Sequence, residues 1–427
     1  MKSEFVLMRK VLFISSIFLL AVIIPFFLFM PRLATQITLT QEQLQGTEYF
    51  LPTYALLKAV EEHRASTLRY LAQPNPYDQA VMLQTQGEIE GAFNRLAAID
   101  RQYGERFNTS GVFMSMRHNW SNLMQQSPKM DVWESIQAHN QFISENILPF
   151  IRLFADQSKL PLNQNPVGFY TAASLVYTLP QLTETLGRMQ AYGIEFLIDK
   201  EIAESERTLL VYILNEAKID FAAVQNSMDS IMRGEIAFQP QLRQGYASGL
   251  QATELFFKQY DERLLHPSAG VTEEFPIDHG TGASEGGKPL DSMTHLMEEK
   301  VARDGSAAGE KVPGESPIEV NYPATGNLRL LKYSEEATTA INEIFKLSYY
   351  EIGLLKNSLT KDLAGLQTEK LLVSFIVWAL IALALGVCFL VMRRMSNRLL
   401  NLQTVSQNLS PMVGELAEAS GVIVSKR

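Results

Sequence analysis

The sequence predicts an all-α protein, with two stacked helical bundles between two transmembrane helices and long first and last helices continuous with the spans. Three observations predict it. An uncharged apolar stretch lies near each end, apolar residues recur at 3–4 spacing through the region between, and strand-like alternation is scarce.

The apolar stretches come first. Val11–Met30 is 20 residues without a charge and Leu371–Met392 is 22. At ~1.5 Å per residue, either can cross a hydrocarbon core of about 30 Å. Lys2, Arg9 and Lys10 precede the first, and Arg393, Arg394 and Arg398 follow the second. Basic residues favour the cytoplasmic side, so the expectation is a two-span protein with both termini inside and residues 31–370 outside. Pro31-Arg32-Leu33 is not a small-x-small cleavage site, and the apolar run is long for a signal peptide, so an anchor is the better reading.

Composition divides what lies between. From Pro267 to Gly326 there are 11 acidic and 4 basic residues, a net −7 within a chain of formal charge −9. The same segment holds 9 of the 25 glycines and 6 of the 18 prolines. It cannot bury enough apolar surface to offset its chain entropy and reads as a disordered acidic insertion at 267–326. The segments are then 1–10 inside, 11–30 spanning, 31–266 a helical ectodomain, 267–326 the insertion, 327–370 the closing helix, 371–392 spanning, and 393–427 a helical tail. The single cysteine, Cys388, lies in the second span, so no disulfide can form within one chain. No basic patch suits nucleic acid.

Helices are expected at 33–72, 77–105, 111–126, 131–157, 167–192, 200–233, 240–265 and 328–370. Their breaks fall at Pro74-Asn75-Pro76, Asn108 to Gly111, Ser127-Pro128, Pro161 to Pro166, Gly193 and Phe238-Gln239-Pro240. The most regular seam is Arg207, Leu210, Leu214, Ala217, Phe221, Val224, Met228, Ile231. The closing helix repeats it through Ile341, Phe345, Ser348, Ile352, Leu355, Leu359, Asp362, Leu366. Ser348 and Asp362, polar where a core prefers apolar residues, suggest a partly polar helix interface and a parallel homodimer. After Met392, Leu399, Leu402, Val405 and Leu409 mark an amphipathic helix that Ser410-Pro411 interrupts, and the tail 395–427 is expected to pair with another protein's helices.

The segment GTEYFLPTYALLKAVEEHRASTLRYLAQ at 46–73 resembles the opening helix of sensor ectodomains in bacterial chemoreceptors and diguanylate cyclases. It is also similar to nitrate- and nitrite-sensing (NIT) domains, whose first helix carries a Q-x-E/H-R-G-type motif. HNQFISENILPFIRLFADQSKLPLNQNPVGFYTAASLVYTLPQLTETLGRMQAYG at 139–193 resembles the middle of the same ectodomains, KEIAESERTLLVYIL at 200–214 their second E-R motif, and TTAINEIFKLSYYEIGLLKNSLTKDLAGL at 338–366 their closing helix. Ala65 stands where the motif has glycine and Asn163 where the turn usually has aspartate. The acidic insertion has no counterpart, and no output module follows the second span. The resemblance implies a chemoreceptor-type sensor in a bacterial cytoplasmic membrane, its ectodomain periplasmic.

Arg64 is the first candidate for chemistry. Phe50, Leu57, Arg64 and Leu71 are spaced by seven, so a guanidinium interrupts an apolar seam and must reach an acid, carbonyls or a bound anion. Arg207, at the start of the second seam, is expected to face it, and two converging arginines would hold a small oxyanion such as nitrate. The NIT resemblance implies that role for both. The bland reading pairs Arg64 with Glu61 or Glu62, and Arg207 with Glu204 or Glu206; this is the commoner fate of an arginine in a bundle. Tyr170 and Tyr177, at heptad spacing, either line a pocket or pack with their hydroxyls at the rim. The six histidines show no metal-ligand spacing, and no nucleophile elbow or phosphate loop occurs. The chain reads as a sensor without cofactor, metal or catalytic constellation. A non-enzymatic scaffold using its ectodomain as a docking rod is the alternative.

Overall fold

A computed structural model describes residues 2–198, 202–233, 240–266 and 328–424; the acidic insertion lies outside the described residues. The protein is all helical there. The order is α1 (Lys2–Gly46), α2 (Phe50–Ala72), α3 (Pro76–Tyr103), α4 (Ser110–Gln126), α5 (Val132–Phe142) and α6 (Leu148–Gln157), then α7 (Pro166–Ala173), α8 (Leu179–Ile198), α9 (Glu204–Met232), α10 (Pro240–Tyr260) and α11 (Leu328–Val424). A 3₁₀ turn, Thr47–Tyr49, joins α1 to α2, and π-helical turns at Ile143–Ile147 and Ser174–Thr178 carry α5 into α6 and α7 into α8.

Local chemistry sets these boundaries. Asn75 caps α3 by accepting from the Asp78 amide at 2.8 Å, with Pro76 at the first helical position where its missing N–H costs nothing. Asp131 and Glu134 form a reciprocal capping box at α5. Asn165 caps α7 ahead of Pro166. The joint between α1 and α2 is held by aromatic packing: Tyr49 stacks on Phe154 at 5.2 Å, and Phe50 meets Phe154 edge-on at 5.0 Å. The expected seams are buried, from Leu210 to Ile231 on α9 and from Ile341 to Leu359 on α11.

Gly193 was expected to break a helix, but α8 runs through it to Ile198. The glycine instead admits a neighbour. A Cβ there would stand 2.1 Å from the Tyr333 hydroxyl oxygen, which donates to the Met189 carbonyl at 2.6 Å. Gly193→Ala is therefore expected to destabilise the chain by about 1–3 kcal/mol through overpacking, despite alanine's better helix propensity. Urea unfolding of the detergent-solubilised chain checks this. An unchanged midpoint would mean that Tyr333 simply moves aside.

The stacking of two bundles is also corrected. At one level Glu42 pairs with Arg106 and Lys159, and Glu48 with Lys356. At the other, Arg69 pairs with Asp78 and donates to Ser334, whose carbonyl accepts from Gln190. From α2 onward the chain runs back and forth between these two levels, with α5–α6 and α7–α8 each acting as one rod; on α11 the levels are marked by Ser334 and Lys356, ~33 Å apart. The two up-and-down sets, α2 to α6 and α7 to α11, thus lie side by side. Helix α2 is central, packed against α3, α5, α8 and α11 and buried on nearly all sides. Below Glu42 and Lys356, α1 and α11 continue together as a two-helix stalk. Equal length of the outer helices predicted two tiers; the extra length forms the stalk instead.

Two helices, one near each end of the chain, are long and apolar enough to cross a membrane, and their apolar windows are unburied. Helix α11 also continues without a break through Ser410-Pro411, where the sequence leads one to expect an interruption. One proline removes a single helical hydrogen bond, and the flanking residues keep theirs.

Candidate functional site

Arg64 projects from α2 into the space between α5 and α8 and is 1% exposed. Its Nη1 donates to Asn140 Oδ1 at 2.6 Å and to both carboxylate oxygens of Glu184, at 3.2 and 3.0 Å. Its Nη2 lies against Gly187, where a Cβ would be 2.1 Å away, and finds no hydrogen-bond partner among the described residues. Gly187 is thus the gap that admits the guanidinium. Glu184 also sits 3.9 Å from Arg188, which pairs with Glu216 at 2.7 Å.

Glu61, one turn before Arg64, is 2% exposed, and among the described residues neither carboxyl oxygen makes a hydrogen bond of good geometry, although the Thr183 hydroxyl lies near enough to lower its pKa slightly. Burial pushes its carboxyl well above the usual carboxylate range; Arg64 pulls it down and Glu184 pushes it up further. Glu184 is also raised by burial, against the pull of Arg64 and Arg188. One guanidinium between two desolvated carboxyls is best balanced with Glu184 ionised and Glu61 protonated.

Next to this pair lie two fully buried histidines, His63 and His139, with ring centroids 5.6 Å apart and Trp120 edge-on to His63 at 5.5 Å. His139 Nδ1 donates to the Ser135 carbonyl at 2.8 Å, which leaves Nε2 as a bare acceptor. Thr85 Oγ1 donates to backbone carbonyls, so it accepts from His63 Nδ1 at 3.0 Å, and His63 Nε2 is likewise bare. Burial pushes His63 down to about 4 and His139 to about 3, so both are neutral near pH 7. Thr67 Oγ1 is the remaining unpartnered group on this face of α2. The centre therefore holds unmatched donors at Arg64 and Thr67, and unmatched acceptors at the two imidazoles. Among the described residues no group of three or more metal-ligating side chains occurs.

The other sequence candidates lie elsewhere. Arg207 is half-buried and donates from Nη1 to the Leu265 carbonyl at the end of α10. Glu216, which faces the Arg188 turn of α8, is nine residues further along α9, ~13 Å away. The structure thus does not bring Arg64 and Arg207 together. Neither arginine takes the local glutamate the sequence offered. Tyr170 and Tyr177 are 39% and 44% exposed and sit at the surface, Tyr170 edge-on to Phe169. Ser348 is fully buried and back-bonds to Ile344 O at 2.9 Å, while Asp362 accepts weakly from Asn165 at 3.4 Å. Both polar seam positions are used within the chain and give no support to a homodimer interface.

No family model matches the chain, and no curated protein matches it. Among solved structures it is similar to the NasR transcription antiterminator, with TM-score 0.48 and 15% identity over 86% of this chain and 83% of that one. What the molecule itself defines is an all-α bundle with a long apolar helix at each terminus and a buried, incompletely satisfied polar centre.

Proposed function

We propose that the chain is a membrane-anchored, chemoreceptor-like sensor in which a small solute, an anion such as nitrate among the candidates, engages the Arg64 centre and shifts the helices that enter the membrane. The observation that carries this reading is where the centre sits. Helix α2 runs through one 3₁₀ turn into α1 and the first apolar stretch, and α8 packs on α11, which holds the second. A ligand that satisfies Arg64 Nη2 and competes with Glu184 would favour one packing of α2 on α8. Only a differential affinity for two arrangements can drive such a shift. Arg207, Tyr170 and Tyr177 remain outside this contact set. In the same reading both termini are cytoplasmic, the bundle is periplasmic in a bacterial inner membrane, and the chain is a homodimer. The tail 395–427 meets a partner's helices through the stripe Leu399, Leu402, Val405 and Leu409, of which Val405 and Leu409 are exposed on α11.

The test is a thermal-shift screen of the full chain in detergent against nitrate, nitrite, organic acids and amino acids. A ligand at 100 times its Kd is expected to add about 2.7 kcal/mol. Arg64→Lys keeps the charge but not the fork and should weaken an anion strongly, and Thr67→Val should weaken any ligand that accepts from this hydroxyl. Ligand stabilisation that survives both substitutions would overturn the assignment. One observation favours the docking-rod alternative: Arg64 is already neutralised by Glu184. A chain that responds to no solute but captures a helical partner would support that reading instead.

A further inference from the structure

Below the bundle, α1, the Leu162–Asn165 turn and α11 line an open cleft of about 440 Å³, far from Arg64. This is the size range of small-ligand sites. Its lining is unusual for a stalk between two long helices. Five carboxamides face it: Gln36 and Gln43 from α1, and Asn163, Gln164 and Asn165 from the turn. Helix α11 adds Lys361, Asp362 and Glu369, while Leu39, Leu162 and Leu366 supply the apolar wall.

Several of these groups are held in place without being satisfied. Asn163 is 9% exposed; its Oδ1 accepts from the Asn165 amide at 2.8 Å, yet its Nδ2 has no partner among the described residues. Gly168 lies against this side chain, a Cβ there standing 2.7 Å from Nδ2, so the glycine leaves the room the carboxamide occupies. Gln43 is fixed by donating to the Lys159 carbonyl at 2.8 Å. Lys361 makes no ion pair among the described residues. Asp362 accepts from Asn165 only at 3.4 and 3.5 Å, which leaves most of its acceptor capacity open.

The geometry points to a second ligand site here, for a small zwitterion that carries an ammonium beside an acid group. One cation and two carboxylates would pair with the two ends of such a molecule, and the carboxamides, each both donor and acceptor, would order its polar body. The same chemistry occurs in free amino acids and in aminophospholipid headgroups. Position favours the soluble form. Lys361 and Asp362 lie ten and nine residues before Leu371, ~14–15 Å above the apolar segment and beyond a headgroup layer about 5–8 Å thick, although Glu369 at the lower end of the cleft, two residues before Leu371, lies within that layer. A ligand here would touch α1 and α11 just before both enter their apolar stretches, so occupancy would fix their spacing. This site is additional to the Arg64 centre and shares only the membrane reading with it.

The experiment is a thermal-shift titration of the full chain in detergent with L-serine, L-glutamine and phosphoethanolamine, against acetate and methylamine, which carry one charge each. The zwitterions are expected to raise the melting temperature and the single-charge probes to do so less. Lys361→Gln and Asp362→Asn, neither in the bundle core, should each weaken the response about tenfold while leaving the unliganded melting temperature unchanged. Micelles doped with phosphatidylethanolamine or phosphatidylcholine form the lipid arm. Stabilisation by the first alone, lost in the same variants, assigns the site to a headgroup. If no zwitterion acts in either form, or if both variants respond as the wild type does, the proposal is overturned. A response lost in Arg64→Lys but kept in both cleft variants transfers the binding to the Arg64 centre. Recovery of the chain in the aqueous phase without detergent would instead overturn the membrane reading and leave the cleft titration standing.

Discussion

Glu184→Ala is expected to destabilise the bundle by about 3–5 kcal/mol, because it leaves the buried Arg64 guanidinium with Asn140 as its only hydrogen-bond partner among the described residues and only the desolvated Glu61 beside it to meet its charge. Arg64→Ala should cost less. The carboxylate it strands is already raised by burial and can take up a proton, an escape that a guanidinium lacks. The double change Arg64→Met with Glu184→Leu should recover most of the loss, since an apolar pair of similar volume avoids both desolvation costs. Urea unfolding of the three variants in detergent gives the order directly. Were Glu184→Ala to cost under about 1 kcal/mol, water would have to reach the guanidinium, and the dry character of this centre would be wrong. The ordering also bears on function. A ligand that substitutes for Glu184 must supply what that carboxylate supplies, so the cost of removing Glu184 bounds the interaction a competing anion has to make.

Much of the helical layout is legible in the sequence because helix periodicity is a local property. The seam from Leu210 to Ile231 can be counted residue by residue, and Asn75-Pro76 and Asn165-Pro166 mark starts by chemistry contained in a few residues. Lateral arrangement is not local. The lengths of the first and last helices fit two tiers or one tier on a stalk equally well. The discriminating signal was the composition of α2, where Ala59, Val60, Ala65 and Leu68 put small or apolar groups on several faces, as a helix surrounded by others requires. The candidate site divides in the same way. Arg64 announced itself by interrupting an apolar seam, but its partner Glu184 is 120 residues away in sequence, beyond any spacing rule. His63 and His139 show no metal-ligand spacing in the sequence, and their common burial beside Arg64 depends on how α2 packs on α5, which no local pattern encodes. Arg207 followed a seam correctly to its helix but not to its neighbours, since its partner is a backbone carbonyl that no side-chain pattern encodes.

Glu351 is expected to make the bundle lose stability as pH rises from about 4.5 to about 8. It lies on α11 and is fully buried, and neither carboxyl oxygen makes a hydrogen bond of good geometry among the described residues. Burial pushes its carboxyl up to about 8 from an ordinary 4.5, with the Ser174 hydroxyl of the π-helical turn pulling it slightly back. The unfolded chain releases this proton near 4.5 while the folded chain holds it to about 8. Between those values the folded state binds one more proton, so unfolding free energy falls by about 1.4 kcal/mol per pH unit. The contribution is complete below 4.5 and gone above 8, roughly 4–5 kcal/mol in all. Glu351→Gln keeps the shape and cannot ionise, so its unfolding curve should lack this slope. Glu61 and Glu184 are raised by burial too and tilt both curves the same way, which is why the comparison is made between the two proteins at each pH. The wild type should fall progressively behind the variant from pH 5 to pH 8 in urea titrations. Parallel curves would show that Glu351 reaches solvent or a partner when charged. Ionisation has a direction in the fold as well. Glu351 faces the Ser174 turn near the buried Tyr54, whose hydroxyl donates to Leu175 O at 2.6 Å. Charging it would press α11 away from α7 and α8, about 20 residues before the second apolar stretch begins.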